Sequence, residues 1–128
     1  GLKAANFATT WPLINGEFIP SSLSNDTWMN FTHDPLALHF IHRNLAYLLA
    51  LLIFLWYRKA KKLEGGKYFS SWRSIPLLLV VVQIVLGVFT VLYANDSTAL
   101  LWFGVAHQFT GMMLLLSFVG VGYLIKKK

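Results

Sequence analysis

Three long apolar segments, separated by short polar stretches, dominate the chain from residue 36 onward. They run from about residue 36 to 57, from 75 to 94 and from 99 to 125. Each is long enough to cross the roughly 30 Å hydrocarbon core of a bilayer as a helix of about 20 residues. Because a lipid-exposed backbone has to satisfy its own hydrogen bonds, we expect three transmembrane helices. The predicted fold class is therefore an all-α membrane protein.

Local signals mark the ends of these predicted helices. Pro35 and Pro76 lie at the first turns of the first and second helices, where a missing N–H costs little. Asn95, Asp96 and Ser97 form a predicted tight turn between the second and third helices. Either Asp96 or Ser97 is then available to cap the third helix.

The composition agrees with a lipid environment. The chain is 56% hydrophobic and only 12% charged, whereas about a quarter of the residues in an ordinary soluble domain are charged. It contains no cysteine, which excludes a disulfide framework, iron–sulfur ligation and the C-x-x-C-H heme attachment signature. A heme in this protein would have to be held without cysteine.

The basic residues flank the apolar segments. Six of them lie in residues 58–74, where Glu64 is the single acid, and three lysines end the chain. This distribution, within a formal net charge of +6, is typical of the positive-inside rule rather than of a nucleic-acid-binding surface. We therefore predict a multi-pass bacterial inner-membrane protein with its N-terminus outside and its C-terminus in the cytoplasm. A mitochondrial inner membrane is the alternative.

Ionisable residues inside the predicted spans are candidates for function, because they are costly in lipid. His42 lies six residues past the start of the first span, and His107 lies eight residues past the start of the third. At 1.5 Å per residue, both lie roughly 9–12 Å below the outer edge. Gly87 of the second span reaches about the same depth. Since facing histidines in a helical bundle can fill both axial positions of a heme iron, we predict a b-type heme between His42 and His107.

Small residues close to the two histidines leave room for a macrocycle. Ala46 follows His42 by four residues, Gly111 follows His107 by four, and Gly104 precedes it by three, so each pair shares a helix face. The alternative is that each histidine only hydrogen-bonds a neighbouring helix. A zinc site is disfavoured, because structural zinc needs four nitrogen or sulfur ligands.

Two further polar residues of the first span lie near this layer. For Arg43 we weigh equally a pairing with a heme propionate or a carbonyl, for which the guanidinium fork is suited, and snorkelling to the headgroups. His39 is one turn before His42, and we favour a polar contact at the outer interface over a proton relay or an alternative ligand. Gln83, Gly87 and Thr90 line one face of the second span, where such residues usually pack helices.

Four pieces of the chain, taken in order, match a known pattern. They are Gly1-Leu2-Lys3-Ala4-Ala5 with Thr10-Trp11-Pro12-Leu13 and Asn15-Gly16, Phe40-Ile41-His42-Arg43 with Ala46-Tyr47, Gln83-Ile84-Val85-Leu86-Gly87 with Thr90, and Ala106-His107-Gln108. This ordered set resembles the C-terminal half of heme A synthases and covers nearly the whole chain.

The resemblance implies a specific architecture and activity. Heme A synthases have two pseudo-symmetric four-helix halves, and they oxidise a methyl substituent of heme O to the formyl group of heme A for terminal oxidases. Each half has a histidine pair, and the second half holds heme b, which would make His42 and His107 its ligands. Only three helices of a four-helix half-bundle are visible, so the chain is expected to lack the first helix and to be inactive alone.

The resemblance also implies the partners and leaves some roles open. The expected partners are the lipid bilayer, an N-terminal half that holds the substrate heme O, and heme O synthase or oxidase assembly factors, with no nucleic acid. His39 stands where the family's first half has Glu and its second half often has Gln, so no catalytic role is transferred to it. Catalytic residues remain unassigned.

The chain thus divides into two predicted parts and leaves two other functions open. Residues 1–35 form an outer-side segment, a loop or interfacial helix, with Trp11, Phe18 and Trp28 at the headgroups. It is either a plain interfacial loop or a lid over an outer pocket. Residues 36–128 form the three-helix heme-binding domain. The alternatives to a synthase are a bis-histidine cytochrome b for membrane electron transfer and a structural or assembly subunit without a cofactor.

Overall fold

Four helices make up most of the part of the protein that the structure describes. The computed structural model describes residues 8–21, 34–64 and 66–126. Its helices are α1 (Pro35–Ala60), α2 (Lys67–Trp72), α3 (Ile75–Leu92) and α4 (Ser97–Lys126). Three helical stretches are long and apolar enough to cross a membrane, with α2 and α3 together forming the second. The predicted all-α membrane fold with three spanning helices is confirmed.

Part of the predicted outer segment lies outside the described residues. Residues 1–7 and 22–33 belong to this part, which includes the Gly1–Ala5 motif, Trp28 and much of the stretch in which an interfacial helix was expected. The division at residue 35 stays a prediction, although α1 begins there, at Pro35.

Aspartate side chains start two of the spanning helices. Asp34 Oδ1 accepts a hydrogen bond from the backbone N–H of Leu36 at 2.9 Å, beside the proline of the first turn. Asp96 Oδ1 accepts from the N–H groups of Thr98 and Ala99, at 2.9 and 3.1 Å. Of the two predicted caps for the third helix, Asp96 is therefore the one that serves this role.

The short helix α2 was not predicted. The sequence predicts no helix in residues 58–74, yet Lys67–Trp72 is helical and its Phe69 side chain is buried. Phe69 belongs to a core cluster with Ala60 of α1 and Val121 of α4. Because this cluster joins α2 to both α1 and α4, tertiary packing rather than local sequence accounts for the helix.

The bundle has a loop end and a histidine end. The loop end lies beside residues 58–74, and the histidine end lies beside Asp34 and Asp96. Two of the three clusters of buried apolar side chains among the described residues are towards the loop end, where the cluster of Ile53, Val80 and Leu114 takes one residue from each spanning helix. The Ala60, Phe69 and Val121 cluster lies beyond it. The three spanning helices are therefore held together mainly from the loop end.

The histidine end is packed differently. Here α3 and α4 meet through aromatic rings, with Phe89 and Phe103 stacked at 5.3 Å between centroids, and through the contact of Ala94 with Leu100. Among the described residues, no cluster of buried apolar side chains joins α1 to this pair at the histidine end. The contact recorded between α1 and α4 in this layer is instead the one between the rings of His42 and His107.

Candidate cofactor site between two histidines

His42 of α1 and His107 of α4 face each other at the histidine end. Their ring centroids are 6.1 Å apart and their planes are inclined by 62°. Imidazole–metal bonds of about 2 Å on opposite sides of one metal ion would separate two such centroids by roughly 6 Å. The same arrangement is also an ordinary edge-to-face contact of two rings. His42 is exposed and His107 is half-buried, so the pair is accessible from the side of α1 on which the His42 ring is exposed, the open side of α1.

The ring of His107 is held by α3. Its Nδ1 lies 3.1 Å from the backbone oxygen of Gln83, and its Nε2 lies 3.1 Å from the side-chain Nε2 of Gln83. A carbonyl oxygen can only accept and an amide N–H can only donate, so Nδ1 bears the proton and Nε2 offers its lone pair. A backbone carbonyl on Nδ1 is a typical way to orient a metal-binding histidine.

Glycines allow this close approach of α3 and α4. A Cβ built on Gly87 would lie 3.1 Å from Cε1 of His107, and one built on Gly111 would lie 3.2 Å from Nε2 of Gln83. Gly87 therefore admits the imidazole and Gly111 admits the amide. The sequence predicted Gly111 as room for a macrocycle and Gly87 only as a residue at the same depth, whereas in this structure both accommodate protein side chains.

Arg43 is buried and bonds to the outer segment. Its Nη2 donates to the carbonyl of Thr10 at 2.6 Å, and its Nη1 donates to the carbonyls of Pro12 and Leu13, each at 3.2 Å. Of the partners that we weighed for Arg43, the carbonyl is the one observed here. Its role as a cofactor-binding residue stays a prediction.

The hydrogen-bond partner of His39 is Arg43, not His42. The Nε of Arg43 donates to Nε2 of His39 at 3.2 Å, and His39 is only 7% exposed. Its Nδ1 is buried without a hydrogen-bond partner among the described residues. This arrangement makes His39 part of the support for Arg43.

Residues 8–21 of the predicted outer segment fold onto α1 beside the histidine pair. Ile14 and Glu17 form an isolated antiparallel bridge, and the two residues between them make a tight hairpin turn. The turn residues Asn15 and Gly16 have φ values of 51° and 92°, which an Asn-Gly pair adopts readily. Trp11 Nε1 donates to the hydroxyl of Tyr47 at 3.2 Å. Between the segment and α1 lies a cavity of about 520 Å³, which is lined by Pro12, Ile14, Phe18, Ile19, Phe40, Arg43, Asn44 and Tyr47.

Comparison with known proteins gives the family. A family model described as cytochrome oxidase assembly protein matches residues 1–119. The chain belongs to this family. Among curated relatives, the heme A synthases of Beijerinckia indica, Erythrobacter litoralis and Paracoccus denitrificans are 37%, 32% and 32% identical to it. These alignments cover 90%, 91% and 89% of this chain, but 32%, 32% and 29% of the relatives.

The cytochrome oxidase assembly family therefore contains proteins much longer than this sequence. The chain spans about one third of the length of the curated relatives it matches. No solved structure matches it. The activity of the whole protein is accordingly a matter for proposal.

The donor set in this member of the family fits a tetrapyrrole better than a bare metal ion. Among the described residues, no group of three or more His, Cys, Asp or Glu side chains is close enough to hold a metal. A heme brings four nitrogen ligands of its own and needs only two more from the protein. His42 and His107 provide that number, and the open side of α1 provides access.

One residue of this site, Gln83, was not predicted from the sequence. Gln83 was expected only to pack helices, yet both its backbone oxygen and its side chain contact His107. A signal was present in the spacing. Gln83 and Gly87 on α3, and His107 and Gly111 on α4, are both polar–glycine pairs four residues apart, which places each pair on one helix face.

Proposed function

We propose that this chain is the C-terminal, heme b-binding half of a heme A synthase, which converts heme O into heme A for terminal oxidases. The observation on which the proposal rests is the distance of 6.1 Å between the rings of His42 and His107. Support comes from the relatives that are named heme A synthase and from an apolar bundle that has few other reasons to contain two facing histidines.

His42 and His107 would hold the heme iron through one ring nitrogen each. The bound heme would supply one-electron redox chemistry at this position. For His107 the ligand atom would be Nε2, because Nδ1 donates to the Gln83 carbonyl. A heme held by two imidazoles would be suited to electron transfer rather than to oxygen activation. The oxidation of the heme O methyl group would then take place in the N-terminal half of the parent protein.

We also propose the orientation of the chain in the membrane. The loop end would face the cytoplasm, because residues 58–74 have six basic side chains. The histidine end and the outer segment would then face the other side of a bacterial inner membrane. Besides lipid, the expected partners are the N-terminal half with its heme O site and heme O synthase or oxidase assembly factors.

Replacement of the two histidines in the full-length protein tests the function. In His42→Ala and His107→Ala, we expect heme b affinity to fall more than about 100-fold, because losing a ligand costs more than losing its supporting contacts. Heme A production should fall with it. Heme b is measured from the absorption spectrum of the purified protein, and heme A by chromatography of extracted hemes.

Gln108→Ala is the matched control, because Gln108 is exposed and adjacent to His107. It should retain both heme b and product. Unchanged heme content and unchanged heme A in both histidine variants would contradict the proposal. A parent protein that binds heme between these histidines but makes no heme A would instead be the membrane cytochrome b named above as an alternative.

A further inference from the structure

The contact between α3 and α4 at the histidine end is reciprocal. The two helices run in opposite directions, so the ring of His107 lies over Gly87 and the amide of Gln83 lies over Gly111. Each helix thus contributes one polar side chain and one glycine that makes room for the polar side chain of the other. This arrangement brings the Gln83 amide to Nε2 of His107.

Nε2 of His107 has a single lone pair, and the Gln83 amide uses it. A neutral imidazole with its proton on Nδ1 can accept one hydrogen bond at Nε2. The same lone pair is the one that a metal would need. The side-chain amide and a metal ion therefore compete for one atom, whereas the backbone oxygen of Gln83 bonds Nδ1 and can stay in place during metal binding.

The side-chain amide is held only weakly. Its Oε1 is buried without a hydrogen-bond partner among the described residues, so the bond from Nε2 to His107 is the one that the structure records for this amide. Releasing the amide breaks that bond and lets Oε1 leave a position in which it is desolvated and unpaired. Displacement should therefore be easy compared with the loss of an ordinary buried hydrogen bond.

We infer that Gln83 is a positioning residue with two parts, a backbone oxygen that fixes the His107 ring and a side-chain amide that covers Nε2 until the cofactor binds. This inference rests on the proposed function, because the cofactor is the group that displaces the amide. While the amide is in place, it satisfies an otherwise unpaired nitrogen in the membrane layer and keeps the ring in one tautomer.

The test uses full-length protein purified without heme, with hemin as the probe. In Gln83→Leu the competing donor is removed, and in Gln83→Asn the amide is too short to reach Nε2. The backbone carbonyl stays in both variants. We expect hemin association, followed by stopped-flow absorbance, to become about two- to threefold faster, the factor that corresponds to a weak net hydrogen bond of about 0.5 kcal/mol.

A second measurement does not depend on hemin. In the heme-free protein, the ¹⁵N chemical shift of His107 Nε2 should move towards the value of an unbonded nitrogen in both variants, while Nδ1 stays protonated. Thr90→Val is the matched control, because its hydroxyl donates to the Leu86 carbonyl of its own helix at 2.8 Å. It should change neither the association rate nor the Nε2 signal.

The outcomes separate this inference from the proposed function. Slower or unchanged hemin association in both Gln83 variants, or an unchanged Nε2 signal, overturns the role of Gln83 and leaves the heme site itself in place. If the natural protein binds hemin no better than His42→Ala does, the proposed function is wrong. The Nε2 shift then still decides whether the amide covers His107, and an uncovered Nε2 overturns that contact as well.

Discussion

The two ends of the bundle are packed through different kinds of residue. At the loop end, Ile53, Val80 and Leu114 bring one apolar side chain from each spanning helix into a common cluster. At the histidine end, α3 and α4 meet through an imidazole, an amide and two glycines. There α1 contacts the outer segment, with Arg43 bonded to backbone carbonyls.

With the heme site as proposed, the protein would separate the packing that stabilises it, at the loop end, from cofactor binding, at the histidine end. In lipid, burial of apolar surface gives little driving force, so close van der Waals packing has to hold the helices together. The loop end provides that packing. The histidine end can then keep polar groups in costly positions, because α1 is already packed against α3 and α4 at the loop end.

The largest effect is expected for Ile53→Ala, which removes packing at the loop end only. Ile53 is 2% exposed within the cluster that joins the three helices. We expect the free energy of unfolding to fall by about 2–3 kcal/mol. Thermal unfolding in detergent measures this loss. Heme bound per folded molecule should stay unchanged, because the site lies about three helical turns away.

Leu52→Ala is the control for that experiment. Leu52 is the neighbouring residue and is 54% exposed. Its truncation should cost well under 1 kcal/mol, because few contacts are lost and no cavity forms. Equal effects of the two variants on unfolding would mean that the loop end does not hold the bundle together.

The sequence predicts the fold well because lipid leaves few choices. The three spanning helices follow from segment length and apolar content, and Asp96 caps α4 as one of two candidates. The matched depth of His42 and His107 follows from the constant rise of a helix. A pattern that depends only on local periodicity and distance along the helix can be read from one sequence.

Contacts between distant segments could not be predicted in the same way. The helix α2 depends on burial of Phe69 against α1 and α4, and no local signal specifies that. The carbonyl partners of Arg43 come from a loop about 30 residues earlier. The contact of Gln83 with His107 depends on how far α3 and α4 slide past each other, which only the packing of their glycines determines.

Arg43→Gln tests the histidine end next. Without the charged guanidinium fork, the carbonyls of Thr10, Pro12 and Leu13 lose their donors, and a hydrogen bond to a charged group contributes about 1.5 kcal/mol or more. We expect residues 13–17 to exchange their backbone amide hydrogens about tenfold faster, since opening of the segment becomes easier. Mass spectrometry of exchanged peptides measures this.

Arg58→Gln provides the comparison for Arg43. It removes an exposed arginine near the loop end of the same helix and should leave exchange in residues 13–17 unchanged. The experiment also separates the two kinds of pairing that the sequence allowed for Arg43, with a heme propionate or with a backbone carbonyl. Unaltered exchange together with a large fall in heme affinity would show that cofactor contact, rather than attachment of the outer segment, is its main role.

The smallest effect is expected for Gly87→Ala, which changes one methyl group between α3 and the candidate ligand. The new Cβ would lie 3.1 Å from Cε1 of His107, so the ring would have to move by a few tenths of an ångström. We expect heme affinity to fall about fivefold, equivalent to about 1 kcal/mol of overpacking. Gly122→Ala on α4, where nothing lies within 4 Å of the added Cβ, gains the same helix propensity without a contact. Heme titration of both variants isolates the contact, and equal affinities would mean that the position of the His107 ring against α3 has no bearing on the cofactor.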